Sequence, residues 1–341
     1  MRALICRKCG QKLSFENSLC LHCHSALGFH LPTRSLLVLP DTAPDGAAEA
    51  TVDDIAWKKC ANAGIAKCNW LVDTSGGEKL CFSCRLTRTR PDDDDAAAMT
   101  AFVDAETNKR RVVLELTELG LPIVGRDENP TTGLAFDLLS SAKTQVMTGH
   151  ASGIVTLDLA EGDDVHREQL RVSMSEPYRT LVGHFRHEIG HYYQMVLVGS
   201  GEHRAEFEEL FGDPDTDYQA ALDRHYNEGA PDNWPKKYVS SYATMHPAED
   251  WAETFAHYLH IRDTLDTAAA FGMAPAGSTL DSPLPGDVGF DQIVDWWLPL
   301  SWALNQINRS MGHRDLYPFV LPAAVLKKMR CVHHLIAPYT A

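Results

Sequence analysis

The sequence predicts an α+β protein, a mostly helical domain with a small sheet, preceded by a small cysteine-stapled module. Three observations predict it. Eight of the nine cysteines lie within residues 6–84, in two local groups of four. Two later stretches, 175–198 and 240–265, combine helix start signals with apolar-patterned runs. One stretch, 153–159, alternates in the manner of a half-buried strand.

A chain of 341 residues holds one large domain or two unequal ones. Its charge divides it. Residues 1–90 carry 12 Lys/Arg against 8 Asp/Glu, whereas residues 91–341 carry 19 against 38. So acidic a surface repels phosphate backbones, which excludes nucleic-acid binding for the larger part. "MRALICRKCG" lacks the apolar run of a signal peptide, and no uncharged apolar segment reaches 18 residues. The chain therefore reads as a soluble cytoplasmic protein with no membrane partner.

In that setting cysteines serve as metal ligands more readily than as disulfides. Cys6, Cys9, Cys20 and Cys23 form C-x2-C-x10-C-x2-C, which satisfies tetrahedral Zn²⁺ and leaves no open position. Cys60, Cys68, Cys81 and Cys84 read C-x7-C-x12-C-x2-C, a second closed site with a single CxxC half. Interleaved ligation would use the same residues, and His22 or His24 could substitute as ligands. Cys331 is left over as an idle thiol.

"PDTAPDGAAEATVDD" (40–54) reads as a connector, and "RPDDDDAAA" (90–98) as a solvated charge run. The expected organisation is thus a zinc-ribbon module over 1–90, an acidic linker over 91–98 and a main domain over 99–341. The main domain opens with a helix near 99–119, closed by Gly120 and Pro122. In "GIVTLDLAE", Val155, Leu157 and Leu159 alternate with Ile154, Thr156 and Asp158, giving a strand with one buried face. "SEPYRTLVGHFRHEIGHYYQMVLV" starts with Ser175 as N-cap and Pro177 in the first turn, so a helix of about 22 residues follows.

That helix contains "HEIGH". His187 and His191 are four apart, one turn along the same face, and can direct two imidazole nitrogens at one Zn²⁺. Glu188, offset by about 100°, can reach a water on the metal without being a ligand. This is the logic of HExxH, a motif short enough to arise by chance, so context must decide. His184, three before His187, could compete as a ligand or sit behind the site.

A catalytic zinc needs a third protein ligand and an open position. "SSYATMHPAEDWAETFAHYLHIRDTL" (240–265) reads as a helix with Pro247 in its first turn. Glu249, Glu253 and His257 fall on one face at successive turns. They suit one carboxylate on the metal and another holding a ligating histidine through its second nitrogen. Trp251, Phe255 and Leu259 lie on another face and pack inward.

"HFRHEIGHYY", "YATMHPAEDWAETFAHYLH" and "WWLPLSWALNQINRSMGHRDLYPFVL" together resemble the bacterial zinc-binding metallopeptidases that carry an N-terminal zinc-ribbon region. The resemblance covers essentially the whole chain and implies a zincin-like domain. The E-x-x-A-E helix, preceded at seven residues by a tyrosine, also resembles the catalytic domain of anthrax lethal factor, a gluzincin-like protease. That likeness implies that Glu249 binds the zinc, that Glu253 supports a ligand, and that Tyr242 stands near the water. Gly190 is retained between the two histidines. The metzincin pattern fails, because no glycine and third histidine follow His191 at the required offsets.

The expected function is a zinc-dependent peptidase acting on a peptide or protein, with one catalytic and two structural zincs. His187, His191 and Glu249 hold the catalytic metal, Glu188 is the base, Tyr242 assists the oxyanion, and Glu253 stands behind. The strand at 153–159 is the expected edge for an extended substrate. The alternative is a non-catalytic module whose ribbon recruits a protein or nucleic acid on an inactive zincin scaffold. Residues 200–240 have no legible fold.

Overall fold

The computed structural model describes residues 2–40, 49–142, 145–163, 168–169, 179–282 and 284–339. Near the N-terminus two hairpins form, β1 (Leu4–Ile5) with β2 (Lys12–Leu13) and β3 (Leu27–His30) with β4 (Ser35–Val38). An antiparallel meander follows, of β5 (Glu49–Val52), β6 (Ile55–Lys59) and β7 (Leu71–Asp73). A bridge between Phe29 and Trp70 ties the second hairpin to the meander, and Phe15 closes the ring cluster at 4.8 Å from Phe29. Such short strands bury little surface by themselves, so cross-links between them carry the module.

The one-turn helix α1 (Phe82–Arg85) leads into β8 (Thr87–Thr89), which leaves the small module altogether. It pairs in parallel with β9 (Ala135–Leu139) and becomes one edge of the main sheet. That sheet has the order β10-β11-β9-β8, where β10 is Gly149–Ala151 and β11 is Ile154–Asp158. The strand expected at 153–159 exists and buries Val155 and Leu157. Its expected role as an edge is corrected: β11 is interior, flanked by β9 and by the antiparallel β10, which is the edge among the described residues. A tight Ser152–Gly153 turn folds β10 back, and alternation along one strand carries no record of that neighbour.

Helix α2 (Ala96–Glu118) starts earlier than expected because Asp95, the last residue of the acidic run, caps it by accepting from the Ala98 amide. Part of the expected 91–98 linker is therefore helix. At the other end Gly120 takes φ +66°, and the Leu121 amide donates back to the Leu116 carbonyl. Fully buried Glu106 and Lys109 pair at 2.6 Å, and Glu106 Oε2 lies 3.9 Å from Cys84 Sγ. Paired burial is what makes such charges tolerable, and it seats α2 on the second cysteine group.

Helix α3 (Leu181–Tyr193) carries the HEIGH motif; its N-cap is Thr180, which accepts from the Gly183 amide, and a π turn over Gln194–Val198 extends it. The expected cap Ser175 and Pro177 lie outside the described residues. Residues 200–240 fold as α4 (Glu202–Phe211), α5 (Tyr218–Glu228) and a 3-10 turn at Trp234–Lys236. Helix α6 (Pro247–Ala270) is capped by His246 and has Pro247 at its start. Residues 240–246, read as part of it, instead form a separate 3-10 turn, Tyr242–Thr244. α7 (Gly286–Ser310) and α8 (Ala323–Ile336) complete the fold.

One hydrophobic core runs from both cysteine groups to α8, and it includes Trp251, Phe255, Leu259 and Cys331. At its centre α3 crosses α6. Trp251 Nε1 donates to the Gly190 carbonyl at 2.8 Å, and Gly190 faces Ala252 so closely that a Cβ there would stand 3.0 Å from the Ala252 Cα. No helix among the described residues is long and apolar enough to cross a membrane.

Candidate metal centre

Three groups of donors converge. The sulfurs of Cys6, Cys9, Cys20 and Cys23 lie within 4.8 Å of one another, as do those of Cys60, Cys68, Cys81 and Cys84. Cys6 to Cys23 is 3.7 Å, Cys9 to Cys20 is 3.6 Å and Cys68 to Cys81 is 3.6 Å. A disulfide would bring sulfurs to about 2 Å. A tetrahedron with Zn–S bonds of about 2.3 Å separates them by about 3.8 Å, so both groups fit closed zinc sites. The Cys81 amide donates to Cys60 Sγ at 3.3 Å, the kind of support a thiolate needs. The fours are local rather than interleaved. His22 and His24 are exposed and belong to neither.

The third group unites α3 and α6. His187 Nε2 lies 3.0 Å from Glu249 Oε2, and His191 Nε2 lies 3.4 Å from Glu249 Oε1. Donors about 2.0–2.1 Å from a tetrahedral zinc stand about 3.4 Å apart, so two imidazoles and a carboxylate fit one ion. His187 Nδ1 meets Glu253 Oε1 at 2.7 Å, which turns Nε2 toward the site. Burial opposes charge on His187, but Glu249 and Glu253 outweigh it and push its pKa well above the ordinary value. Two carboxylates turned toward one imidazole make the pocket anionic, which favours a cation there. His257, on the same face, bonds Tyr317 at 2.9 Å and is not a donor to this group.

Glu188 points past the donors into a cavity of ≈ 280 Å³ bordered by His184, His187, Tyr242 and Phe319. His184 Nε2 stands 3.2 Å from Glu188 Oε1, and buried Glu188 Oε2 has no hydrogen-bond partner among the described residues. His184 is thus no competing ligand. Its Nδ1 contacts Glu161, which also accepts from Thr148 at 2.7 Å and Arg179 at 3.0 Å. Burial disfavours a charged His184, yet the Glu161 and Glu188 carboxylates prevail and raise its pKa to about 9. Burial likewise works to raise Glu188, but the His184 hydrogen bond and the nearby histidines hold it below the ordinary carboxyl value.

Two tyrosines border the metal donors. Tyr242 stands on its own turn, its ring 6.0 Å from that of His187. Tyr218, from α5, donates to Glu249 Oε1 at 3.0 Å. On the sheet side, edge strand β10 brings the His150 ring to 6.3 Å from His191. Tyr218, Glu161 and His150 were missed by sequence reasoning. None belongs to a motif, and Tyr218 lies in the stretch whose fold was illegible.

Comparison with known proteins agrees with this chemistry. Residues 98–335 match the family described as "Putative zinc-binding metallo-peptidase", and residues 3–95 match a zinc-ribbon domain. Uncharacterized proteins from two strains of Mycobacterium tuberculosis and one of Mycobacterium bovis are each 60% identical over 337 residues, covering 98% of this chain and 95% of theirs. No solved structure matches. With its cysteine groups, its histidine–carboxylate donors and this match over most of its length, the chain belongs to the zinc-binding metallo-peptidase family and carries an N-terminal zinc ribbon.

Proposed function

We propose that the protein is a zinc-dependent peptidase of zincin-like, gluzincin type, with one catalytic zinc at His187, His191 and Glu249 and a structural zinc in each cysteine group. One observation carries the reading. The Glu188 carboxylate lines the same cavity as His187, beside the three converging donors, with its Oε1 held 3.2 Å from His184 Nε2. A carboxylate placed at the cavity wall within reach of a reacting water is what a general base requires.

Held by His187, His191 and Glu249, a zinc ion would supply Lewis acidity for a peptide carbonyl and for water. Glu188 takes the proton of the attacking water through Oε2, its Oε1 being occupied by His184, and returns it to the leaving amine. Glu253 keeps His187 in the tautomer that presents Nε2. Tyr242 donates to the oxyanion as it develops. The backbone of an extended peptide pairs along β10, the edge strand among the described residues and beside His191, rather than along β11.

The test uses Glu188→Gln. This variant is expected to keep the zinc content of the wild type and to lose cleavage of peptides found by screening the wild type on a mixed peptide pool by mass spectrometry. Undiminished cleavage removes Glu188 as the base. Elemental analysis adds an independent check: three zincs per chain should fall to two in a His187→Ala/His191→Ala variant.

A further inference from the structure

Helix α5 is attached to the rest of the protein in an unusual way. Of its residues only Ala221 is buried, so hydrophobic packing does little to seat it. Its anchors are polar and all reach one segment, residues 242–249. His246 Nε2 meets the Thr216 carbonyl at 3.0 Å, Arg224 donates to the Met245 carbonyl at 3.2 Å, and Tyr218 donates to Glu249 at 3.0 Å. The His225 ring also lies 5.9 Å from that of Tyr242. Tyr218 is itself 44% exposed, yet its hydroxyl reaches a carboxylate that is only 2% exposed.

The Glu249 carboxylate has two oxygens with different duties. Oε2 faces His187, whereas Oε1 stands 3.4 Å from His191 and accepts from Tyr218. A carboxylate at the end of a rotatable side chain must be held by more than the ion it binds, and outer partners of ligands fix such orientation. Tyr218 is the hydroxyl that does so here. Glu249 sits in the first turn of α6, and nothing else on α5 touches its oxygens among the described residues.

We propose that Tyr218 is a positioning residue for the metal-binding carboxylate of Glu249, and that seating of helix α5, whose Tyr226 borders the cavity, is coupled to metal occupancy through this hydroxyl. The proposal rests on the reading of His187, His191 and Glu249 as a zinc site. Because the coupling is reciprocal, whatever lifts α5 loosens the metal, and whatever fills the metal site closes α5.

The experiment compares the full-length wild type, Tyr218→Phe and the His187→Ala/His191→Ala variant, each loaded with zinc and titrated with a chromophoric chelator. The double variant supplies the background from the cysteine sites. Tyr218→Phe should bind the histidine-site zinc roughly 10- to 100-fold more weakly than the wild type, the usual effect of removing an outer partner. In hydrogen exchange, zinc should slow the amides of 218–228 in the wild type and leave them unchanged in Tyr218→Phe. The melting temperature of the zinc-free proteins should be the same. Wild-type zinc affinity in Tyr218→Phe overturns the proposal alone. An equal fall in zinc-free melting temperature shows a merely structural tyrosine and also overturns it. Equal zinc content in the wild type and the double variant overturns the zinc-site reading and this proposal together.

Discussion

Replacing Gly190 with alanine tests how closely the metal donors depend on helix packing. A Cβ there would stand 3.0 Å from Ala252 Cα, 3.2 Å from its carbonyl oxygen and 3.4 Å from its Cβ. None of these atoms can rotate aside, and carbon contacts prefer about 3.5–4.0 Å, so α3 and α6 must part by about 0.5 Å. Alanine gains about 1 kcal/mol over glycine within a helix, whereas overpacking costs about 1–3 kcal/mol, so the net fold penalty is about 0–2 kcal/mol. The metal site fares worse. His187 and His191 ride on α3 and Glu249 on α6, and metal–ligand distances tolerate only about 0.2 Å. Gly190→Ala should therefore weaken histidine-site zinc by roughly tenfold or more while lowering the zinc-free melting temperature by less than roughly 8 °C. Chelator competition and scanning fluorimetry measure the two. Wild-type zinc affinity at an unchanged melting temperature would refute the reasoning, since it would mean the crossing yields without disturbing the donors.

The same geometry sets further outcomes. Glu253→Ala should weaken the catalytic zinc by roughly 10- to 100-fold and Glu249→Ala by more, as read by zinc retention; the reverse order would exchange their roles. Tyr242→Phe should lower kcat by roughly 10²–10³-fold with little change in KM, and full turnover would remove the oxyanion assignment. The Glu161–His184 pair makes stability depend on pH. Glu161 is held down at about 2, so its contribution is present above about 4.5, the ordinary glutamate value, and is lost as pH falls through 2. Burial opposes that shift, and the His184 charge and its hydrogen bond outweigh it. His184, raised to about 9, contributes fully below about 6.5 and loses its contribution as pH rises through 9. Melting temperature should decline between pH 6.5 and 9 in the wild type and stay flatter in His184→Gln. Parallel curves would show that the pair carries no linkage.

The parts of the site legible in the sequence are those written in short-range spacing. A CxxC turn brings two sulfurs to one ion whatever surrounds it, so Cys6 with Cys9, Cys20 with Cys23 and Cys81 with Cys84 were legible as pairs, whereas the grouping into two local fours was left open by the sequence and came from the fold. On a helix, residues four apart share a face, so His187 with His191 and Glu249 with Glu253 were legible as pairs. Helix starts were less so. Asp95 looked like one more charge in a solvated run, because capping depends on the backbone angles of a single residue, and those are set by whether the next turn of chain is helical.

What the sequence by itself determined, then, is the local chemistry: which residues could bind metal, which turns hold them, and that a buried strand and two long helices surround them. Which elements meet was decided only by the tertiary structure. β8 crosses from the small module to pair with β9, 49 residues on at Thr87 and Phe136, and β11 is covered on both sides, by β9 and by β10, so the pattern within one strand does not say which neighbours it meets. His184 bridges Glu161 and Glu188 across 23 residues of chain, and Tyr218 reaches Glu249 across 31. Such contacts exist because packing of the apolar core leaves these polar atoms facing one another, and burial then obliges each to find a partner. No spacing rule records that outcome, because it belongs to the whole folded chain.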